Sequence, residues 1–252
     1  KFPINFNSPY RAGSINEFWS RWHVTLTRFL REYLYFPLGG NRCGPWRHAL
    51  NILATMFLSG LWHGAGWTYV IWGGLHGFYL VVAHRWQCFR KSRGWSLDCW
   101  WYRSLAVSLT LVAVLFAWVL FRAPTLDAAG RVFSSMIGRH GLTMSEDVTN
   151  PAKFPGVLFP TVGIRFVPRT LEFESYDPLI KMMVVMVVIA LFLPNVQQLL
   201  ESYSPALERP EHRAAFCLKL NWGTGLFLGG AFFWVVHTFY IAAPSPFLYF
   251  NF

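Results

Sequence analysis

The residues Ser59-Gly60-Leu61-Trp62-His63-Gly64-Ala65-Gly66-Trp67 place one imidazole at a break between two long apolar runs. Three glycines in seven residues disfavour a continuous helix and let the backbone turn or approach a ligand closely. An ionisable side chain and irregular backbone are both costly at membrane depth, and mark a site lined by protein or water. A histidine with an ordinary pKa near 6.5 serves as a general base at neutral pH, and apolar surroundings favour its neutral, proton-accepting form. Four residues after His63, where an H-x-x-x-D arrangement would supply an acid, the chain has Trp67. An orienting partner must come from elsewhere, and His23, Asn51 and backbone carbonyls are candidates. His76 lies thirteen residues on, in the glycine-rich stretch Trp72-Gly73-Gly74-Leu75-His76-Gly77. The alternative chemistry for these imidazoles is axial ligation of a haem by two of His23, His63, His76 and His237.

The elements that must hold these residues are apolar helices. Trp46 to Leu58 and Thr68 to Ala83 read as helices of 13 and 16 residues, about 20 and 24 Å at 1.5 Å per residue against a hydrocarbon core of about 30 Å. Their outer ends are basic (Arg42 and Arg47; Arg85, Arg90, Lys91 and Arg93), which predicts a hairpin with both ends in the cytoplasm. Upstream, Ser14 with Glu17 has a capping-box spacing. The helix it opens, Ile15 to about Tyr35, mixes Arg21, Arg28 and Arg31 with aromatic residues, as an interfacial helix does. Pro37 and Gly39-Gly40-Asn41 end it. Further spans are predicted over Trp100–Phe121, Tyr176–Leu193 and Ala215–Ala242. Residues 123–175 read as an extramembrane loop with a short amphipathic helix near Leu126–Ile137. The aromatic tail 244–250 is predicted to pack back onto the bundle.

Composition agrees. The chain is 54% hydrophobic and 19% aromatic, and only 13% of it is charged, about half the usual share. The expected class is an all-α polytopic membrane helical bundle of about five spans, with interfacial or re-entrant helices. A net charge of +10 raises nucleic acid as a partner, but the basic residues cluster beside apolar runs and point to a lipid membrane instead. Cys43, Cys88, Cys99 and Cys217 form neither a disulfide framework nor a zinc spacing, and are predicted to pack as small apolar residues.

Several ordered motifs resemble the membrane-bound O-acyltransferase family, in its alginate O-acetyltransferase branch. They are Asn7-Ser8-Pro9-Tyr10, Phe18-Trp19 with Arg21-Trp22-His23, and Tyr35 to Asn41. Gly60-Leu61-Trp62-His63-Gly64, Trp72 to Gly77, Phe121-Arg122-Ala123 and Phe247 to Phe250 follow. The resemblance implies an O-acetyltransferase of the bacterial inner membrane that acts on an exported polysaccharide such as alginate. It uses acetyl-CoA or another activated acetyl donor as substrate, with no bound cofactor or metal. His63 matches the family's essential histidine and His23 its second recurrent one. Periplasmic acetyltransferase partners and export machinery are implied, and D-alanyl transfer onto teichoic acid is the related alternative. The motifs cover the C-terminal half of such a protein, so a further N-terminal half is expected. Within this half, 1–45 would be the interfacial region, 46–84 the catalytic hairpin and 85–252 the remaining spans. Trp62 and Trp67, with Asn51 and His76, are candidates for lining the acyl tunnel. Arg21, Arg28, Arg31 and Arg42 are candidates for holding donor phosphates. A transporter or scaffold without chemistry is the competing class, since broken helices also mark transport sites.

Overall fold

The architecture is taken from a computed structural model, which describes residues 1–95, 99–139, 142–145, 164–167, 171–207 and 217–241. The tail 244–250 and, within the predicted loop 123–175, residues 140–141, 146–163 and 168–170 lie outside the described residues. Two compact units form, Asn5–Leu193 and Lys1–Ile4 with Pro194–Phe252.

In the larger unit a 3₁₀ turn, Pro9–Arg11, precedes α1 (Ile15–Arg21). Ser14 caps α1 by accepting from the Glu17 amide, while the Glu17 carboxylate reaches back to Gly13 rather than to Ser14. The helix predicted from Ile15 to Tyr35 is broken at Trp22-His23. It resumes as α2 (Val24–Leu30), which runs into a π-helical turn, Arg31–Tyr35. His23 takes a left-handed conformation at the break (φ 46°, ψ 51°). Tertiary pairing holds it there. Asn7 donates to the Arg21 carbonyl at 2.9 Å, Val24 donates to the Asn5 carbonyl at 2.9 Å, and the Asn5 side chain accepts from Thr25.

Helices α3 (Gly44–His63) and α4 (Trp67–Ser92) form the hairpin, each longer than predicted. The break is confined to Gly64-Ala65-Gly66, and Gly60 stays helical. Its role is contact. A Cβ on Gly60 would run into the Tyr69 carbonyl, and one on Gly73 into the Met56 carbonyl. The two backbones therefore touch where small residues allow it.

Next come α5 (Trp100–Arg122) and the amphipathic α6 (Leu126–Met136), which Thr125 caps. A short parallel pair follows, β1 (Leu142–Ser145) with β2 (Ile164–Val167), and then α7 (Leu171–Phe192). Arg11 donates to the carbonyls of Ala190 and Leu193 at the end of α7. The core joins Phe18 and Trp19 of α1, Met56 of α3, Trp72 of α4, and Val114, Ala117 and Leu120 of α5. Burying a side chain such as Phe18 contributes about 1.5–3 kcal/mol.

Among the described residues α5 alone is long and apolar enough to cross a membrane by those two measures. Its 23 residues reach about 34 Å. Polar side chains on the inner faces of α3 and α4 lower their mean hydropathy: Asn51, Thr55 and Ser59 on one, Thr68 and His76 on the other.

The smaller unit holds α8 (Val196–Leu199), capped by Asn195 with a reciprocal Gln198 bond, then a 3₁₀ turn and α9 (Trp222–Ile241). Leu207 donates to Phe2 at 3.1 Å and Leu218 to Leu199 at 2.8 Å. His237 is exposed and stacks on Phe233 at 6.2 Å. Three of the four cysteines (Cys43, Cys88, Cys217) are exposed rather than packed.

Candidate active site

His63 is the last residue of α3 and is buried. Gly64 ends the helix by donating to the Leu61 carbonyl at 3.3 Å, and α4 restarts at Trp67 on the Gly66 carbonyl. The crossing at Gly60 and Gly73 then brings the first turns of α4 against His63. Its ring lies edge to face with Trp72 (5.2 Å, 90°), Phe121 (5.1 Å, 80°) and Trp62 (4.9 Å, 69°). Aromatic walls exclude water and favour the uncharged imidazole.

Trp72 also meets His76, one turn further along α4, at 4.9 Å. The Trp19 indole donates from Nε1 to His76 Nδ1 at 3.3 Å. Indole nitrogen can only donate, so Nδ1 must be an acceptor and the His76 proton must sit on Nε2. His76 is therefore a fixed donor, not a base. Sequence reasoning missed Trp19 in this role, because 57 residues separate it from His76.

His23 comes to the same place from the break between α1 and α2, where its imidazole lies within electrostatic reach of His63. Phe6 covers it at 5.9 Å. Burial pulls the His23 pKa below its ordinary value, with a backbone hydrogen bond opposing in part. The structure thus sets Trp72 between His63 and His76, with Trp19 bonded to His76 and His23 within electrostatic reach of His63.

Other candidates fall elsewhere. Asn51 is buried and gives its amide to the Gly40 carbonyl at 3.0 Å, holding the turn after α2. It lies twelve residues, about 18 Å along the helix, from His63 and cannot orient it. Trp62 and Trp67 are 63% and 72% exposed, and although the Trp62 ring meets His63, the buried indoles of the site are Trp19 and Trp72. Arg21 is buried in an ion pair with Glu17 at 2.8 Å and contacts the Asn7 carbonyl, which commits it to structure. Arg42 is exposed on the turn before α3.

Arg28 and Arg31 do meet a cleft, of about 510 Å³. Tyr35, His48 and His84 also line it, and no carboxylate does. His48 and His84 pack edge to face at 4.4 Å, so His84 is not the simply solvated residue that its place beside Arg85 suggests. Trp19 and Met56 line the same cleft, so one indole links the basic opening to His76. Among the described residues no group of three metal-ligating side chains is positioned to hold an ion.

The buried His63, the tryptophans near it and the basic residues of the cleft all lie in the first half of the chain. Residues 1–122, which hold all of these groups, match the model of the membrane-bound O-acyltransferase family. Those residues carry a domain of that family. Peptidoglycan O-acetyltransferase of Helicobacter pylori is 36% identical over 252 residues, which is 100% of this chain and 43% of that protein. The probable alginate O-acetylase AlgI of Pseudomonas aeruginosa is 37% identical over 166 residues, 66% of this chain and 30% of its own length. Teichoic acid D-alanyltransferase of Bacillus subtilis is 28% identical over 128 residues, covering 48% and 32%. The chain spans less than half the length of these relatives.

Proposed function

We propose that this chain is the part of a multi-pass inner-membrane O-acetyltransferase that carries its catalytic histidine, His63. The observation that carries the reading is His63 itself, buried at the end of α3 against Trp72 and Phe121 and within reach of His23. The donor, acetyl-CoA or another activated acetyl carrier, enters the cleft from the cytoplasmic side, and Arg28 and Arg31 take its phosphates. His48, in that cleft, stands fifteen residues before His63, about 22 Å along α3. The acetyl group therefore travels most of a bilayer core to reach the base. His63 takes the proton of an acceptor hydroxyl as its oxygen attacks the thioester carbonyl carbon. The carbonyl electron pair moves to oxygen, and collapse expels the thiolate, which recovers the proton.

The acceptor side faces the periplasm, where partner acetyltransferases and export machinery pass the group to a glycan. Similarity along the whole chain to a peptidoglycan O-acetyltransferase, against 66% for the alginate enzymes, favours peptidoglycan over alginate as the final polymer. D-alanyl transfer is the weaker alternative, since that resemblance is both lower and shorter.

The test is labelled acetate incorporated into purified peptidoglycan and into exopolysaccharide by cells expressing the full-length protein. His63→Ala should lower incorporation by roughly 10²–10⁴-fold with normal membrane abundance. Lys91→Ala, exposed at the end of α4, should leave it unchanged. A folded His63→Ala protein acetylating at the normal rate would sink the reading, and a Soret band in the purified protein would replace it with haem ligation.

A further inference from the structure

We propose that Trp72 and His76 form an oxyanion-binding pair, with the Trp72 Nε1–H and the His76 Nε2–H as donors to the acyl carbonyl oxygen. The inference rests on the acyl-transfer reading of His63 and deepens it.

Three buried polar atoms on the facing helices α3 and α4 have no hydrogen-bond partner among the described residues: Trp72 Nε1, His76 Nε2 and Ser59 Oγ. Trp72 is 4% exposed, His76 1% and Ser59 0%. Native interiors leave very few such groups unpaired, and a functional site is a common reason for the exceptions. These three are not scattered. Ser59 precedes His63 by one turn of α3, and Trp72 precedes His76 by one turn of α4, so each pair shares a helix face. The rings place Trp72 between the two imidazoles, 5.2 Å from His63 and 4.9 Å from His76.

The chemistry of each group is fixed by its neighbours. Trp72 can only donate. His76 is held as a donor by the Trp19 indole on its other nitrogen, which occupies Nδ1 at 3.3 Å. The site therefore presents two preset N–H groups and no competing acceptor on either ring, in a place closed to water. What such a pair lacks is a compact acceptor that gains negative charge. The carbonyl oxygen of a thioester meets that description when a hydroxyl deprotonated by His63 attacks its carbon and the π electrons move to oxygen. Donors fixed beforehand in an apolar site stabilise that charge without reorganisation. Trp19 takes no part in the reaction and acts as a positioning residue that selects the His76 tautomer.

The experiment uses the full-length protein in cells, with the initial rate of labelled acetate entering polymer, membrane abundance, and melting temperature in detergent. Trp72→Phe keeps an aromatic ring and removes the donor, leaving a small cavity where the indole's second ring was. It should cut the rate about 10²–10³-fold, the usual loss for one oxyanion donor, with a modestly lower melting temperature and normal membrane abundance. His76→Gln, which keeps an amide N–H near Nε2, should retain activity within about tenfold. His76→Leu should fall at least 10²-fold. A folded Trp72→Phe protein within about threefold of wild type would overturn the proposal. So would equal rates in His76→Gln and His76→Leu, which decides the matter if Trp72→Phe fails to accumulate. His63→Ala separates the two levels: if it stays active, acyl transfer at this site is wrong, and if it alone is inactive, only the oxyanion pair is wrong.

Discussion

His23 illustrates how one residue can carry a backbone role and an electrostatic role at once. Its left-handed φ of 46° is uncommon for any residue but glycine, and asparagine tolerates that region best among the substitutes. Replacement by alanine would therefore mix loss of the imidazole with backbone strain, and His23→Asn is the cleaner variant. Burial holds the folded pKa of His23 below the unfolded value near 6.5. Below that pH the unfolded chain takes up a proton that the folded protein resists. The contribution is thus complete above about pH 6.5 and is lost as pH falls towards the folded value. Acidification from pH 7.5 to 5 should lower the melting temperature of wild type more than that of His23→Asn, measured in the same detergent. Equal losses would mean that His23 does not titrate against folding. The imidazole at position 63 stood out in the sequence because glycines flank it. The turn at 23 did not, because no glycine or proline marks it: Asn5 and Asn7 impose it from a distance.

The helical hairpin shows the same division between local and tertiary signals. The apolar runs, the Ser14 cap and the basic ends of α3 and α4 were readable from propensity and pattern. By sequence Gly60 reads as a helix breaker, yet it is a contact residue, since what it meets is α4, at the Tyr69 carbonyl and Gly73. The bond from Trp19 to His76 was hidden for the same reason, as was the exposure of Trp62 and Trp67, whose type alone suits an interface or a tunnel equally. Gly60→Ala or Gly73→Ala should force α3 and α4 apart, at about 1–3 kcal/mol each, and should move Trp72 off His63. Gly74→Ala is the matched control, because a Cβ there meets nothing within 4 Å. It should be neutral or stabilising by up to about 1 kcal/mol. Thermal unfolding of the three variants decides this. Indistinguishable midpoints would show that the crossing is looser than the structure has it.

At the scale of the molecule, the exposed apolar surface needs a cover. Met182 through Val187 on α7 are each about half exposed, and Phe232, Phe233 and Trp234 on α9 more than that. Such a surface belongs against lipid or further protein. If α5 crosses the bilayer, the basic end of α4 and the helix α6 lie on opposite sides. The charge difference is modest, for Arg122, Arg131 and Arg139 stand near α6, so the topology is worth measuring. In a background lacking the four native cysteines, an impermeant maleimide added to intact cells should label Ser135→Cys but not Ser92→Cys. The opposite pattern would invert the bundle. The hydrogen bond between Trp19 and His76 also has a consequence for biogenesis. At 5–20 residues per second, the ribosome needs about 3–11 s to add the 57 residues between them. During that wait the Trp19 indole has no acceptor on His76, and burying it early would leave an unpaired donor. Until the hairpin behind it is inserted, α1 is better accommodated at the wet surface of the bilayer, or in the translocon, than in an apolar interior. Order of insertion, and not only final packing, then governs whether the histidines ever meet.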